Sequence, residues 1–308
     1  MTYRFAHLSD THIRNLKYHS EYRTVFAQIY KKLLQQKPDA IIHCGDLAHT
    51  KVNLSPEYFD LASSFLKNLA DIAPLIVIPG NHDGNLRNTA RQDAITPLAT
   101  ALAHPNITLL KDSGEHQFNS KVTFNILSVF DTDNWIKPTD PSKINIALYH
   151  GSISGCETSL GWVMEHGENE VSIFEGFDFA MLGDIHKSNQ IIDNDGKVRY
   201  CGSTVQQGFA ETVDKGYLLW DIRTKEDFDV ELHTFKNPKP FITVELTKKG
   251  KLPKNTQIPT GARIRLVANN KLSMDVIRKA SDVAKVRYKP DSIVFLNKAN
   301  KSLSTVNT

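Results

Sequence analysis

Cysteine is scarce in this chain: Cys44, Cys156 and Cys201 are the only three in 308 residues. Their wide spacing excludes a disulfide framework, and the lack of a CxxC pair excludes the usual zinc and redox clusters. Cys44 and Cys201 read as small core residues. Long apolar runs are also missing, since stretches such as Ala73–Pro79 fall far short of the roughly 20 residues a membrane helix needs. The first strand begins at Tyr3 without the positive and apolar regions of a secretory signal, so the expectation is an intracellular, cytoplasmic protein with no membrane partner. The third shortage is local. From Lys248 onward ten Lys and four Arg face only Asp275, Asp282 and Asp291, a formal +11 against −8 for the preceding residues. Such a segment is either a solvated face or an electrostatic footprint for a polyanion.

What remains is ordinary globular composition, 40% hydrophobic and 23% charged, enough for one large domain and a smaller one. Glu21–Gln36 carries Val25, Phe26, Ile29, Tyr30, Leu33 and Leu34 on one helical face, and Pro38 stops it. Ser55-Pro56 supplies an N-cap and first-turn proline for a second helix to about Leu69, and a strand follows at Leu75–Ile78. This βαβα order predicts a partly parallel sheet. Later residues read as strands and hairpins, Gln190–Ile192 with Lys197–Cys201 and Gly216–Ile222 with Phe228–Phe235. There is no internal sequence repeat, although the two halves of the main sheet can still be structurally alike. Asn237-Pro238-Lys239-Pro240 is stiff and donor-poor, which suits a boundary between a domain at 1–237 and a basic one at 238–308. Within the second, Phe241–Leu246 and Arg263–Val267 read as strands, Ser273–Arg287 as a helix, and the polar residues beyond Asn297 as frayed.

Five apolar runs end in polar clusters: FAHLSDTH, AIIHCGD, LIVIPGNHD, INIALYHG and FAMLGDIH. Each passes from buried strand into loop, so Asp10, His12, Asp46, Asn81, His82, Asp83, His150, Asp184 and His186 fall where sites form in open α/β sheets. Taken singly, each His is more often a surface or core residue. Together and in one phase, they offer ligands for two divalent cations, which can share a carboxylate and clamp the attacking and leaving oxygens of a phosphoester. Asp10 and His12 can face one cation from a single turn, and Asp46 is suited to bridge. Asn81 offers its side-chain carbonyl, while His150, Asp184 and His186 complete the set. His7 and His43 lie inside strand runs and read as structural. Beside such a site the basic segment reads as a nucleic-acid footprint, with Lys248, Lys249, Lys251, Arg263 and Arg265 as its candidate phosphate contacts.

DxH, GD, GNHD, HG and GxxH in this order resemble the calcineurin-like metallophosphoesterase superfamily. More narrowly, GDLAH, Tyr200-Cys201-Gly202-Ser203 with Phe209-Ala210-Glu211, and Lys215-Gly216 resemble the SbcD-type DNA repair nucleases, phage exonuclease subunits included. The resemblance covers roughly residues 3 to 246, more weakly the basic module. It implies an α/β fold, a two-sheet α/β/β/α sandwich with a small α+β capping domain. It also implies a dinuclear centre, with Asp10, His12, Asp46 and His186 on one metal and Asp46, Asn81, His150 and Asp184 on the other. His82 would protonate the leaving 3′ oxygen or stabilise its charge, with Asp83 orienting its ring and His49 of GDLAH close by. The family ends its last motif GHxH, whereas this chain has Gly183-Asp184-Ile185-His186. Asp184 either ligates, favouring manganese or magnesium over zinc, or has left the metal.

The activity implied is a metal-dependent DNA nuclease of repair, recombination or replication, a 3′ to 5′ exonuclease with endonuclease action on single strands or hairpins. Its implied partners are DNA and an SbcC-type ATPase, and a phage-encoded copy would work in the host cytoplasm. The family's ATPase-docking helices follow the capping domain, yet little beyond Asn297 has a helical pattern. Relatives also dimerise, and the amphipathic segments Pro56–Asp71 and Arg91–Ala103 are the counterparts, though core packing explains those faces equally well. A small-substrate cyclic-nucleotide phosphodiesterase and a DNA-binding scaffold with a weakened metal site are the alternatives. Serine/threonine phosphatases are disfavoured because Asp46 is followed by Leu-Ala-His, without the GDxxDRG arginine.

Overall fold

The computed structural model describes residues 1–299. By contacts the chain divides into two compact units, one comprising Met1–Gln207 and Asp214–Phe235, the other Gly208–Val213 and the residues from Lys236 onward.

The first unit begins with alternating strand and helix: β1 (Tyr3–Leu8), α1 (His19–Gln36), β2 (Ala40–Cys44), α2 (Pro56–Ile72), β3 (Leu75–Ile78), α3 (Thr96–Leu102) and β4 (Ile107–Leu109). It continues with β5 (Gly114–Gln117), β6 (Val122–Leu127), β7 (Ile144–His150), β8 (Phe179–Gly183), β9 (Gln190–Ile191), β10 (Val198–Tyr200), β11 (Gly216–Ile222) and β12 (Phe228–Thr234). These build two six-stranded sheets, in the orders β12-β11-β1-β2-β3-β4 and β5-β6-β7-β8-β10-β9. Parallel pairing joins β1 to β4 in the first and β6, β7, β8 and β10 in the second; β11 and β12 add antiparallel pairs at one edge of the first sheet, and β5 and β9 do so at the two edges of the second. This is the two-sheet sandwich that the resemblance implies. Both expected hairpins exist, and β6, β7, β8 and β10 add a parallel core that the reading of the later residues as strands and hairpins did not include.

Strand alternation explains the layers. Ala6, Leu8, Ile41 and Val77 point at α1 and α2, while Phe5, Ile42, Ile76 and Ile78 meet Phe124, Ile146, Leu148 and Met181 of the second sheet. The Ser55 hydroxyl caps α2 by accepting from the Tyr58 N–H, and the helix buries Leu61, Ala62, Phe65, Leu66 and Leu69 along one stripe. Phe65 stacks on Phe26 of α1 with ring centroids 4.0 Å apart. That apolar face is therefore occupied by the chain's own core. Arg91–Ala103 is helical only over Thr96–Leu102. Asp93 accepts from the N–H groups of Ile95 and Thr96, a local turn that displaces helix before that point. The outer face of the second sheet is covered by the irregular crossover between β7 and β8, which holds the 3₁₀ turn Val171–Phe174.

In the second unit β13 (Phe241–Glu245), β14 (Arg263–Ala268) and β15 (Ser292–Asn297) form a parallel three-stranded sheet, with α4 (Met274–Tyr288) between β14 and β15 in sequence. Val244, Ile264 and Leu266 pack against Ala280, Ala284 and Tyr288 of α4. From residue 300 on, the expected frayed end lies outside the described residues. No described helix is long and apolar enough to cross a membrane.

Candidate metal centre

All five motif loops leave the C-terminal ends of parallel strands: β1 delivers Asp10 and His12, β2 Asp46, β3 Asn81 and His82, β7 His150, and β8 Asp184 and His186. The turns are sharp. Among the described non-glycine residues, eight have positive φ, and four of them are Asp10 (49°), His12 (45°), Asp46 (58°) and Asp184 (96°). Three of the rest, Lys37, Ala103 and Lys289, are ordinary left-handed helix ends. Left-handed backbone at four candidate ligands is strain concentrated where function is expected, and Asp and His tolerate it better than most side chains. The motif glycines allow close approach. A Cβ on Gly80 would lie 2.3 Å from Asp46 Oδ1 and 2.6 Å from the His150 ring, and one on Gly183 2.2 Å from Ser9 Oγ.

The side chains converge in two groups joined by one carboxylate. In the first, His12 Nε2 lies 3.0 Å from His186 Nε2 and 3.7 Å from Asp10 Oδ1, which is itself 3.6 Å from His186 Nε2. In the second, His150 Nε2 lies 3.8 Å from Asp184 Oδ1, which is 3.4 Å from Asn81 Nδ2. Asp46 turns Oδ2 to His12 and Oδ1 to His150, each at 3.4 Å. Three clusters able to hold an ion result: Asp10, His12 and His186; His12, Asp46 and His82; and Asp10, Asp46 and His150.

These residues fit divalent cations. His150 Nδ1 donates to the Cys44 carbonyl at 2.7 Å, leaving Nε2 for the interior, where it has no hydrogen-bond partner among the described residues. The buried Asn81 Oδ1 likewise has none. Burial first, and neighbouring carboxylates after it, raise Asp10 and Asp184 against the opposite pull of His150 and His186. Burial works to lower His150, but Asp46, aided by Asp10 and Asp184, holds it well above its ordinary value. Burial also works against the Asp46 charge, yet His150 and His12 hold this carboxyl well below the usual range. Burial depresses His12 to about 3, so its imidazole is a neutral donor.

A ring of hydrogen bonds holds the loops. The Ser9 hydroxyl donates to Asp10, which accepts the Asp184 N–H in turn. Thr204, just after the YCGS motif, donates its hydroxyl to the Ser9 carbonyl and accepts from the Thr11 hydroxyl. The Lys215 ammonium, 3% exposed, donates to the His186 carbonyl at 2.6 Å. The spacing of YCGS and KG carried a resemblance in the sequence but no role, because both reach the site only through tertiary pairing. His7 and His43 are buried in β1 and β2, as expected of structural residues.

Three expectations are corrected. Asp83 does not touch the His82 ring. Its oxygens accept the backbone N–H groups of Asp46 (2.8 Å), Leu47 (3.3 Å), Ala48 (2.8 Å) and Gly80 (2.9 Å), so it ties the second and third motif loops together. Burial and the Asp46 charge raise its carboxyl to about 7. The His82 ring is placed by His49, whose backbone carbonyl accepts from His82 Nδ1 at 2.8 Å, while the His82 N–H donates to Asp46 Oδ1. Arg263 is buried, donating to the Lys239 carbonyl and paired with Asp291 at 3.4 Å, because it lies on the central strand of its sheet. Arg265 is also engaged, with the Phe209 carbonyl at 2.9 Å and its guanidinium over the Phe209 ring. Lys248, Lys249 and Lys251 are exposed, as a phosphate contact requires.

Residues 3–188 match the model of the family described as Calcineurin-like phosphoesterase. Over 279 residues the chain is 36% identical to Uncharacterized protein R555 of Acanthamoeba polyphaga mimivirus, covering 86% of this chain and 20% of that protein. It is 26% identical over 260 residues to DNA double-strand break repair protein Mre11 of Haloferax volcanii, covering 80% of this chain and 55% of that one. It is 25% identical over 279 residues to a subunit of the nuclease SbcCD of Staphylococcus epidermidis, covering 79% and 71%. The chain thus spans a fifth of the first relative's length and about half of the second's.

Proposed function

The chain belongs to the calcineurin-like phosphoesterases, and on that premise we propose that it is a dinuclear-metal-dependent DNA nuclease that degrades strands 3′ to 5′ and cuts single strands and hairpins. The observation that carries the reading is Asp46, whose two oxygens face two separate ligand groups. Asp10, His12, Asp46 and His186 would hold one cation, and Asp46, Asn81, His150 and Asp184 the other, with manganese preferred and magnesium next. Two such ions would supply Lewis-acid polarisation of the phosphoester and a nucleophile at neutral pH.

The chain's own groups do the rest. Because His82 Nδ1 donates to the His49 carbonyl, Nε2 is the atom that gives a proton to the leaving oxygen. Ser9, Asp83 and Lys215 keep the ligand loops in place. Lys248, Lys249 and Lys251 grip the DNA backbone as exposed point charges in a capping domain. DNA and an SbcC-type ATPase are the partners this reading takes, supported by the names of the archaeal and bacterial relatives, with a second copy of the chain as a further partner. Its working place is the cytoplasm.

The test is manganese-dependent cleavage of 3′-labelled duplex, hairpin and single-stranded DNA beside a chromogenic phosphodiester and cyclic nucleotides. The nuclease reading expects stepwise loss of 3′ nucleotides. Hydrolysis of cyclic nucleotides alone makes the protein a small-substrate phosphodiesterase, and DNA binding without hydrolysis makes it a scaffold.

A further inference from the structure

Beside His82 lies a cavity of about 500 Å³ with no acidic residue in its lining. Of its lining residues only Asn81 belongs to the ligand set, and among the others Lys51 and Arg87 bring charge and Val52 and Leu86 apolar surface. The exposure of the two apolar ones is large, 79% for Val52 and 42% for Leu86. A single exposed aliphatic residue means little. Here two border one cavity that also holds two cations and a candidate general acid, and that combination is what a flat apolar group carrying negative charge requires.

The cations differ in how they are held. Lys51 Nζ donates to the carbonyls of Asn81 (2.9 Å) and Gly84 (2.6 Å), which fixes it over the GNHDG turn and leaves the third of its donors for a ligand. Arg87 is exposed and makes no ion pair with a described residue, while its backbone N–H is held by Asn85 Oδ1 at 3.0 Å. A planar fork in that state suits a phosphate.

We propose that this cavity is the subsite for the leaving nucleotide, the one on the 5′ side of the scissile bond. Val52 and Leu86 enclose its base, and Arg87, with Lys51, holds its 5′ phosphate. The assignment rests on the nuclease reading above, which places the leaving 3′ oxygen at His82. Water adds to phosphorus, the bond from phosphorus to the 3′ oxygen breaks, and that oxygen takes the Nε2 proton of the His82 imidazolium, which is left neutral with Nδ1–H on the His49 carbonyl, while the proton lost by water passes to solvent. The leaving nucleotide then already lies on the cavity side of His82.

The experiment compares a thymidine trinucleotide with thymidine 5′-(p-nitrophenyl phosphate), whose leaving group is p-nitrophenolate and carries neither base nor second phosphate. For Arg87→Ala the ratio of kcat/KM on the trinucleotide to that on the ester should fall about 10- to 100-fold, the range for a lost charged hydrogen bond. Leu86→Ala should lower the same ratio less, and Arg87→Lys, which keeps the charge and loses the planar fork, should restore part of it. Anisotropy with labelled trinucleotide in EDTA should show the same order of affinities without metal. A parent that cleaves the trinucleotide and variants that keep its ratio and affinity overturn the subsite. A parent that hydrolyses the ester but neither cleaves nor binds the trinucleotide overturns the nuclease reading, and the subsite with it.

Discussion

The strand-end cluster and the basic module use charge in opposite ways. In the cluster the carboxylates are buried or half-buried and most are tied to backbone: Asp10 accepts the Asp184 N–H, Asp46 the His82 N–H and Asp83 four N–H groups, while the buried Lys215 donates to the His186 carbonyl. In the module the charges divide, with Arg263 and Arg265 committed to carbonyls and rings and Lys248, Lys249 and Lys251 left in solvent. Removing one side chain from the first region should disturb a shared geometry, whereas removing one from the second should only subtract a charge.

The largest effect belongs to Asp46→Asn. It weakens the carboxylate shared by both ligand groups, so calorimetry should find manganese lost from both positions and cleavage should drop below detection. Full manganese stoichiometry in this variant would place Asp46 outside the bridge. His82→Ala comes next. It should keep both metal equivalents and lose about 10² to 10⁴ in rate, the scale of general acid catalysis. Loss of one equivalent would move His82 into the ligand set, which its place in a cluster with His12 and Asp46 allows.

Asp83→Ala tests the cluster as a folded object. Four backbone N–H groups lose their acceptor, so the metal-free protein should lose about 3 kcal/mol or more in a denaturant titration. An unchanged midpoint would mean that water replaces the carboxylate at no cost. The smallest effect is expected from Lys248, Lys249 and Lys251 changed together to Ser. Stability should be unaltered, and the dependence of duplex affinity on salt should shrink by about 0.9 in log–log slope for each phosphate contact removed. An identical slope would leave the module as a solvated face and end the contrast between the two regions.

Much of this molecule was legible from residue order, for reasons that differ by region. The five ligand loops could be placed because a buried strand, a glycine and an acid or imidazole must follow one another within a few residues, and such local order survives folding. The N-cap at Ser55 and the end of α1 before Pro38 are local in the same way. The separation into two sheets came from the motif resemblance and not from the strand patterns, because β6, β7 and β8 look alike as apolar runs whether they extend the first sheet or pair among themselves. Nor could composition tell Arg263 from Lys249, since a count of charges is blind to which strand is central. Sequence alone determined which residues offer ligands and at which strand ends they stand. Tertiary structure decided that Asp46 divides its oxygens between two groups, that Asp83 braces backbone and leaves the His82 ring to His49, and that Lys215 reaches His186. Those three outcomes depend on distances between segments tens of residues or more apart, which only the packing of the sheets brings within a hydrogen bond.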